Sequence, residues 1–393
     1  MDDWNQEGRY KAAVQKWLTG SETRALVTTY PVPGEKENRD ALLAQKLAEI
    51  KANMSEEEKQ QIIDTTLAPQ PEEDTSAMVA SLQAVTVASL PEEARIYEIQ
   101  DETLPDGTRR LNAVANVDGI GYACVLLDAS GIAQEDIHFF KLLTDLVGEL
   151  DTESHTKDEL DVLVERYLYN GDIRQSVMKD PENGYTPYLH LSWIARDEDR
   201  AAGYELMNEL LFSTQFSDST KVLEKVQAAK ATLRSQINNA GYNILLYRAA
   251  AVTDPRIAYV SYSNYLEYYD FLGAVESALQ ENPQPVLDSL LRVQSLLHNS
   301  QDAIVYFAGN EESIASNNDL AGAFLASLDK QDVERQTYDL PVPASREALI
   351  LDTNVQFNSL MADYATLGME YDAGLDAIMS LVSDNFLLPL LRD

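Results

Sequence analysis

The spacing of apolar positions changes several times along the chain, and each change marks an element. Trp4, Tyr10, Val14 and Leu18 fall at roughly helical spacing. Arg24-Ala25-Leu26-Val27-Thr28-Thr29-Tyr30 then reads as a short strand, stopped by Pro31-Val32-Pro33-Gly34. Residues 35–68 carry the pattern of two charged helices joined at Asn53-Met54. Leu42, Leu43, Leu47 and Ile50 form a narrow apolar stripe on the first. Ser55-Glu56-Glu57-Glu58 is a capping box that opens the second, which carries Ile62 and Ile63. Residues 69–94 are acidic and contain prolines, and read as an extended connector with a weak strand pattern at Val85-Thr86-Val87.

From about residue 95 the pattern is dense. Leu111 to Val117 alternates, Asp118-Gly119 is a strong hairpin signal, and Ile120 to Leu127 returns as the second strand. A helix over 134–149 places Ile137, Phe140, Leu143, Leu146 and Val147 on one face. A second capping box, Thr156-Lys157-Asp158-Glu159, opens a helix over 156–168. Strands are expected at 171–179 and 186–195, flanking the turn Pro181-Glu182-Asn183-Gly184. Helices follow at 199–212, 218–238, 242–252, 262–280 and 285–299. Ala303 to Ala308 reads as a buried strand and 314–328 as a helix.

After Pro341-Val342-Pro343 the pattern restarts, with strands expected at Glu347–Asp352 and Val355–Tyr364 and a helix over 372–388. This strand–strand–helix order repeats that of residues 111–149. The fold class implied is α+β: a two-layer domain with an antiparallel-rich sheet and helices packed on one face. A helical hairpin precedes it and a partial second copy follows. The expected organisation is 1–34, the end of an upstream domain; 35–94, hairpin linker and connector; 95–335, the α+β domain; and 336–393, the start of a truncated second one. Both ends are expected to be cut from a longer protein.

Composition narrows the class. Of 393 residues, 45% are hydrophobic and 24% charged, which excludes wholesale disorder and collagen-like or disulfide-scaffold proteins. Asp and Glu number 65 against 30 Lys and Arg, a formal charge of −35. Such a surface repels phosphate backbones and anionic lipid, so neither nucleic acid nor membrane is expected as a partner. It attracts basic peptides, although acidity also serves solubility. The N-terminus Met1-Asp2-Asp3-Trp4-Asn5 lacks the basic and apolar regions of a signal peptide, and no apolar run approaches the ~20 residues of a membrane span. The expected location is cytoplasmic.

Candidate chemistry is sparse. The single cysteine, Cys124, lies in an apolar run and reads as a buried structural thiol. No two of His138, His155, His190 and His298 have the i, i+4 spacing that puts two zinc ligands on one helix face, so no metal site is expected in this chain. A Gly-x-Ser-x-Gly motif, a P-loop and a dinucleotide-binding glycine motif in strand-to-helix context are all absent. Tyr259, Tyr262, Tyr265, Tyr268 and Tyr269 crowd one segment at helical spacing. They form either a packed interior face with hydroxyls at its rim or a peptide-contacting wall. No catalytic residue is assigned.

Taken in order, these pieces resemble the pitrilysin/insulinase family of zinc metallopeptidases, specifically the presequence-protease subfamily. The resemblance runs from the strand at Arg24–Tyr30 and the hairpin through Ser55-Glu56-Glu57-Glu58-Lys59, by way of Asp118-Gly119-Ile120-Gly121-Tyr122, Phe216-Ser217-Asp218, Leu233-Arg234-Ser235-Gln236-Ile237 and Ala240-Gly241-Tyr242, to Phe386-Leu387-Leu388-Pro389-Leu390-Leu391-Arg392. It implies four homologous α+β domains in two halves that close around a chamber. Zinc is then expected on a His-x-x-Glu-His motif in a missing N-terminal half, since nothing here matches that motif. Arg392 stands where the family's substrate-binding Arg would be, and the Tyr expected a few residues later is absent. The resemblance implies a non-catalytic C-terminal portion, inactive alone. Its partners would be unstructured peptides, with basic ones favoured, and the catalytic half of the same protein. The alternative is a stand-alone peptide- or protein-binding scaffold that kept the fold without the zinc site.

Overall fold

The structure is a computed structural model that describes residues 8–20, 25–67, 98–182, 184–344, 346–351, 353–364, 366–388 and 390. The chain divides into two units, Met1–Glu93 and Ala94–Asp393.

In the first unit, α1 (Arg9–Val14) runs into a π-helical turn over Gln15–Thr19. Helix α2 (Glu35–Asn53) is followed by helix α3 (Glu56–Leu67), the two charged helices that the pattern predicts. The capping box of α3 is in place: the Glu58 amide donates to Ser55 Oγ at 3.2 Å, and the Ser55 amide donates to Glu58 Oε2 at 2.8 Å. Leu42, Leu43, Leu47 and Ile50 are all exposed. The strand expected at 24–30 is not seen: 25–30 carry no ladder, and Arg24 lies outside the described residues. Among the described residues of this unit there is no second strand for it to pair with. Val85-Thr86-Val87 also lies outside the described residues.

The second unit is built on a six-stranded sheet: β1 (Ile99–Thr103), β2 (Arg109–Val114), β3 (Ile120–Asp128), β4 (Tyr169–Asp180), β5 (Gly184–Arg196) and β6 (Ile304–Gly309). Their order in space is β1-β2-β6-β3-β5-β4. The hairpin expected at 111–127 is therefore corrected. Strand β6 lies between its two arms, pairing Leu111 with Tyr306 in parallel and Tyr122 with Ala308 antiparallel. Gly119 still makes the turn, with φ of +76°. Apolar Ile304–Gly309 needs a neighbour on each edge, and the chain supplies it about 180 residues after the turn.

Helices α4 (Ile137–Leu146), α5 (Lys157–Tyr167), α6 (Arg200–Phe212), α7 (Ser219–Asn239) and α8 (Gly241–Ala251) follow the expected periodicity. The single helix expected at 262–280 is instead two, α9 (Pro255–Asn264) and α10 (Leu266–Glu281), broken at Tyr265. Asp254 caps α9 by accepting from the Arg256 amide at 2.9 Å, and Pro255 opens it. Then come α11 (Gln284–Leu297) and α12 (Glu311–Ala326).

One face of the sheet is packed against helices. Trp193 meets Tyr204 edge-on at 4.8 Å, and the guanidinium of buried Arg200 lies 4.8 Å from the Phe307 ring while donating to Ser313 O at 3.1 Å. Val125, Leu127, Leu191 and Phe140 are fully excluded from water. The other face carries Tyr122, Cys124, His190, Ser192 and Tyr306. The result is a mixed, two-layer α+β body.

The strands expected at 347–352 and 355–364 are absent among the described residues. Instead, this segment lies along α8. Glu347 pairs with Arg248, Phe357 approaches Gly241, and the Phe357 ring meets Tyr242 at 6.3 Å. A lone hairpin is marginal without a third strand or a helix beneath it. Helix α13 (Gly374–Val382) and a π-helical turn over Ser383–Leu387 follow, with Ile378, Met379 and Phe386 exposed.

Candidate functional site

Strand β4 is an edge strand. Its residues Arg174, Gln175, Ser176 and Val177 border a cleft of about 760 Å³ whose other walls come from α4, α7, α8 and the α9–α10 junction. Alternation along β4 turns Ile173, Gln175 and Val177 toward the helical layer, and Arg174 toward the opposite face beside His190.

Each wall has a local cause. Lys141 and Asp145, one turn apart on α4, form an ion pair, and Asp145 Oδ2 accepts from the Tyr268 hydroxyl at 2.7 Å. Burial and that carboxylate push the Tyr268 phenol well above its ordinary range. The break at Tyr265 turns the chain so that Tyr265 and Tyr268 both reach the cleft, where Tyr265 packs on Tyr247 at 5.0 Å. Burial and Tyr247 push the Tyr265 phenol up to about 12. On α7, Lys225 pairs with Glu149 at 2.6 Å across the rim. Behind the strand, Gln175 Nε2 donates to the hydroxyl of fully buried Tyr259 at 2.9 Å. Gln175 Oε1 is buried with no partner among the described residues.

The tyrosine segment is divided between the interior and the wall of the cleft. Tyr259 lies in the interior, Tyr262 stacks on His138 at 4.4 Å, and Tyr265 and Tyr268 line the cleft. Gln175, Asp145 and Tyr247 were not legible as site residues. The available signal was a polar residue in the inward register of Ile173-x-Gln175-x-Val177.

The four histidines are dispersed. His138 Nε2 donates to Tyr262 O at 2.9 Å, and burial holds its imidazole below the ordinary 6.5. His155 Nδ1 meets Glu209 at 2.8 Å, and His298 Nδ1 meets Asp329 at 3.3 Å. His190 Nε2 lies 3.1 Å from Ser192 Oγ and 4.0 Å from Cys124 Sγ. Burial raises the Cys124 thiol to about 11, so it is protonated at neutral pH and a poor nucleophile. Among the described residues no three His, Cys, Asp or Glu side chains converge, so they do not fit the zinc of the resembled family. Arg392 lies outside the described residues. Among the described residues no helix is long and apolar enough to cross a membrane.

The sequence profile of a family described as peptidase M-16C associated matches residues 30–274, which include every residue of the cleft. The chain is 23% identical over 390 residues to Protein HypA of Clostridium perfringens, covering 98% of the chain and 40% of that protein. It is 20% identical over 394 residues to presequence protease 1, chloroplastic/mitochondrial, of Arabidopsis thaliana, covering 98% and 36%. Mitochondrial presequence protease of Candida albicans is 25% identical over 297 residues, covering 71% and 28%. The chain therefore spans about two fifths or less of the length of these relatives.

Proposed function

Because the chain belongs to the peptidase M-16C associated family, we propose that it is the non-catalytic C-terminal portion of a presequence-protease-like zinc metalloendopeptidase. Its task is to wall the substrate chamber and hold unstructured peptides. The observation that carries this reading is the cleft at β4, which lies within the family match and is furnished with tyrosines, an amide and paired ions. Such a surface holds a chain without reacting with it. The zinc and the general base belong to an upstream half of the same protein. Arg392, with several donors and a permanent charge, is suited to a peptide carbonyl or carboxylate oxygen. A formal charge of −35 favours basic peptides.

Two measurements test this. Titrating a fluorescently labelled, unstructured basic peptide with the chain is expected to raise its anisotropy saturably, with binding weakened by salt. The isolated chain is expected not to hydrolyse the peptide, whereas the protein with its upstream half cleaves it in a chelator-sensitive way. Flat anisotropy, or chelator-sensitive cleavage by the isolated chain, overturns the reading.

A further inference from the structure

We infer that the peptide is held as an added β-strand along the free edge of β4, by the main-chain groups of Ile173, Gln175 and Val177. This rests on the peptide-binding role proposed above, and it names the contact.

The argument begins at Pro187. In an antiparallel ladder, a residue turns its N–H and C=O together toward one neighbour, and successive residues alternate. Pro187 has no N–H, and its carbonyl accepts from the Ala129 amide at 3.0 Å, on the β3 side. The same parity recurs at the other end of β5, where the Asp197 amide donates to Gly119 O at 3.1 Å. Odd-numbered residues of β5 therefore bond to β3, and Tyr188, His190 and Ser192 bond to β4. Their partners on β4 are Ser176, Arg174 and Asp172. The intervening Ile173, Gln175 and Val177 face Leu191, Leu189 and Pro187 across non-bonded positions, so their N–H and C=O groups point away from the sheet.

Among the described residues nothing bonds to those groups. They border the cleft, where the buried, unpartnered Oε1 of Gln175 offers one more acceptor. Donors and acceptors repeating every second residue, about 6.8 Å apart, are matched by an extended polypeptide main chain. The ions on the rim are already paired, Lys141 with Asp145 and Lys225 with Glu149. Recognition through the main chain therefore tolerates many sequences. A second copy of β4 is the competing occupant of the edge, but it would bring its own helical layer against α4 and α7.

Two readouts on the unmodified chain test this. In the first, the labelled basic peptide is N-methylated at two amides of one parity, then at two of the other. One parity should weaken binding roughly tenfold or more, because each methyl removes a hydrogen bond, and the other should leave it nearly unchanged. In the second, amide exchange is followed residue by residue. Ile173, Gln175 and Val177 should exchange quickly in the free chain and slow at least tenfold on adding peptide, while Arg174 and Ser176 are slow throughout. Binding that ignores methyl parity overturns the inference and leaves the peptide-binding role standing. No binding of the unmethylated peptide overturns both, and loss of binding by both methylated peptides alike overturns the inference alone. Protection of the three amides that rises with protein concentration alone assigns the edge to a second copy and overturns the inference.

Discussion

Gln175 donates its side-chain amide to the phenol oxygen of Tyr259 at 2.9 Å, and both side chains are buried. The bond ties the edge strand to α9 directly beneath the cleft. Tyr259→Phe removes the acceptor and leaves a buried amide unpaired, at a cost of about 1–3 kcal/mol. Urea denaturation should show this loss. Combining it with Gln175→Leu, which removes both polar partners, should recover part of it.

Gly121 fixes a second contact. A Cβ there would lie 2.2 Å from Cζ of Phe307, a ring with no exposure. Gly121→Ala should therefore destabilise by about 1–3 kcal/mol or more through overpacking. Adding Phe307→Leu should make the alanine much better tolerated than it is alone. An alanine variant as stable as wild type would show that the ring can move aside.

Arg292 donates to both oxygens of Asp136, whose side chain is buried while the arginine stays half-exposed. Arg292→Ala strands a buried carboxylate. The expected loss is about 1–3 kcal/mol, less than for a fully buried pair because water reaches the arginine side. Arg292→Ala with Asp136→Asn should be more stable than Arg292→Ala alone, as a double-mutant cycle would measure.

Burial holds His138 and His190 below the ordinary imidazole value of 6.5. On acidification the unfolded chain takes up these protons first, so folding stability should fall as pH drops through about 6.5. Urea midpoints at about pH 7.5 and about pH 5.5 should differ in that direction. His138→Phe keeps the stack on Tyr262 and loses the titrating group, so its midpoint should fall less between the two pH values.

Arg248 bridges Glu267 of α10 and Glu347 of the following segment. Those carboxylates raise its pKa, and the guanidinium holds Glu347 below the ordinary carboxylate range. Arg248→Ala should release residues 344–364 and speed proteolytic nicking there at least severalfold, with the sheet left intact by circular dichroism.

Much of this architecture is written locally. The Thr156 and Ser55 capping boxes, the inward faces of α4 and α5 and the alternation of β5 follow from residues a few positions apart, because hydrogen-bond rings and side-chain periods are short-range. So does the wide spacing of the histidines, none of which shares a helix face with another. Family membership was also legible, from motifs kept in order.

What the sequence could not disclose were choices between distant partners. Asp118-Gly119 signals a turn, but only tertiary pairing decides that Ile304–Gly309 enters between its arms, since a buried apolar strand gains most from two neighbours. Among the described residues, the strand patterns expected at 24–30 and 347–364 find no such neighbours and form no ladders. The cleft itself joins residues from 141 to 268, and Gln175 gains meaning only when Tyr259 stands behind it. Local pattern determined which elements form. Long-range pairing and packing, whose energies depend on surfaces far apart in sequence, decided that β4 stands at an edge of the sheet beside the cleft.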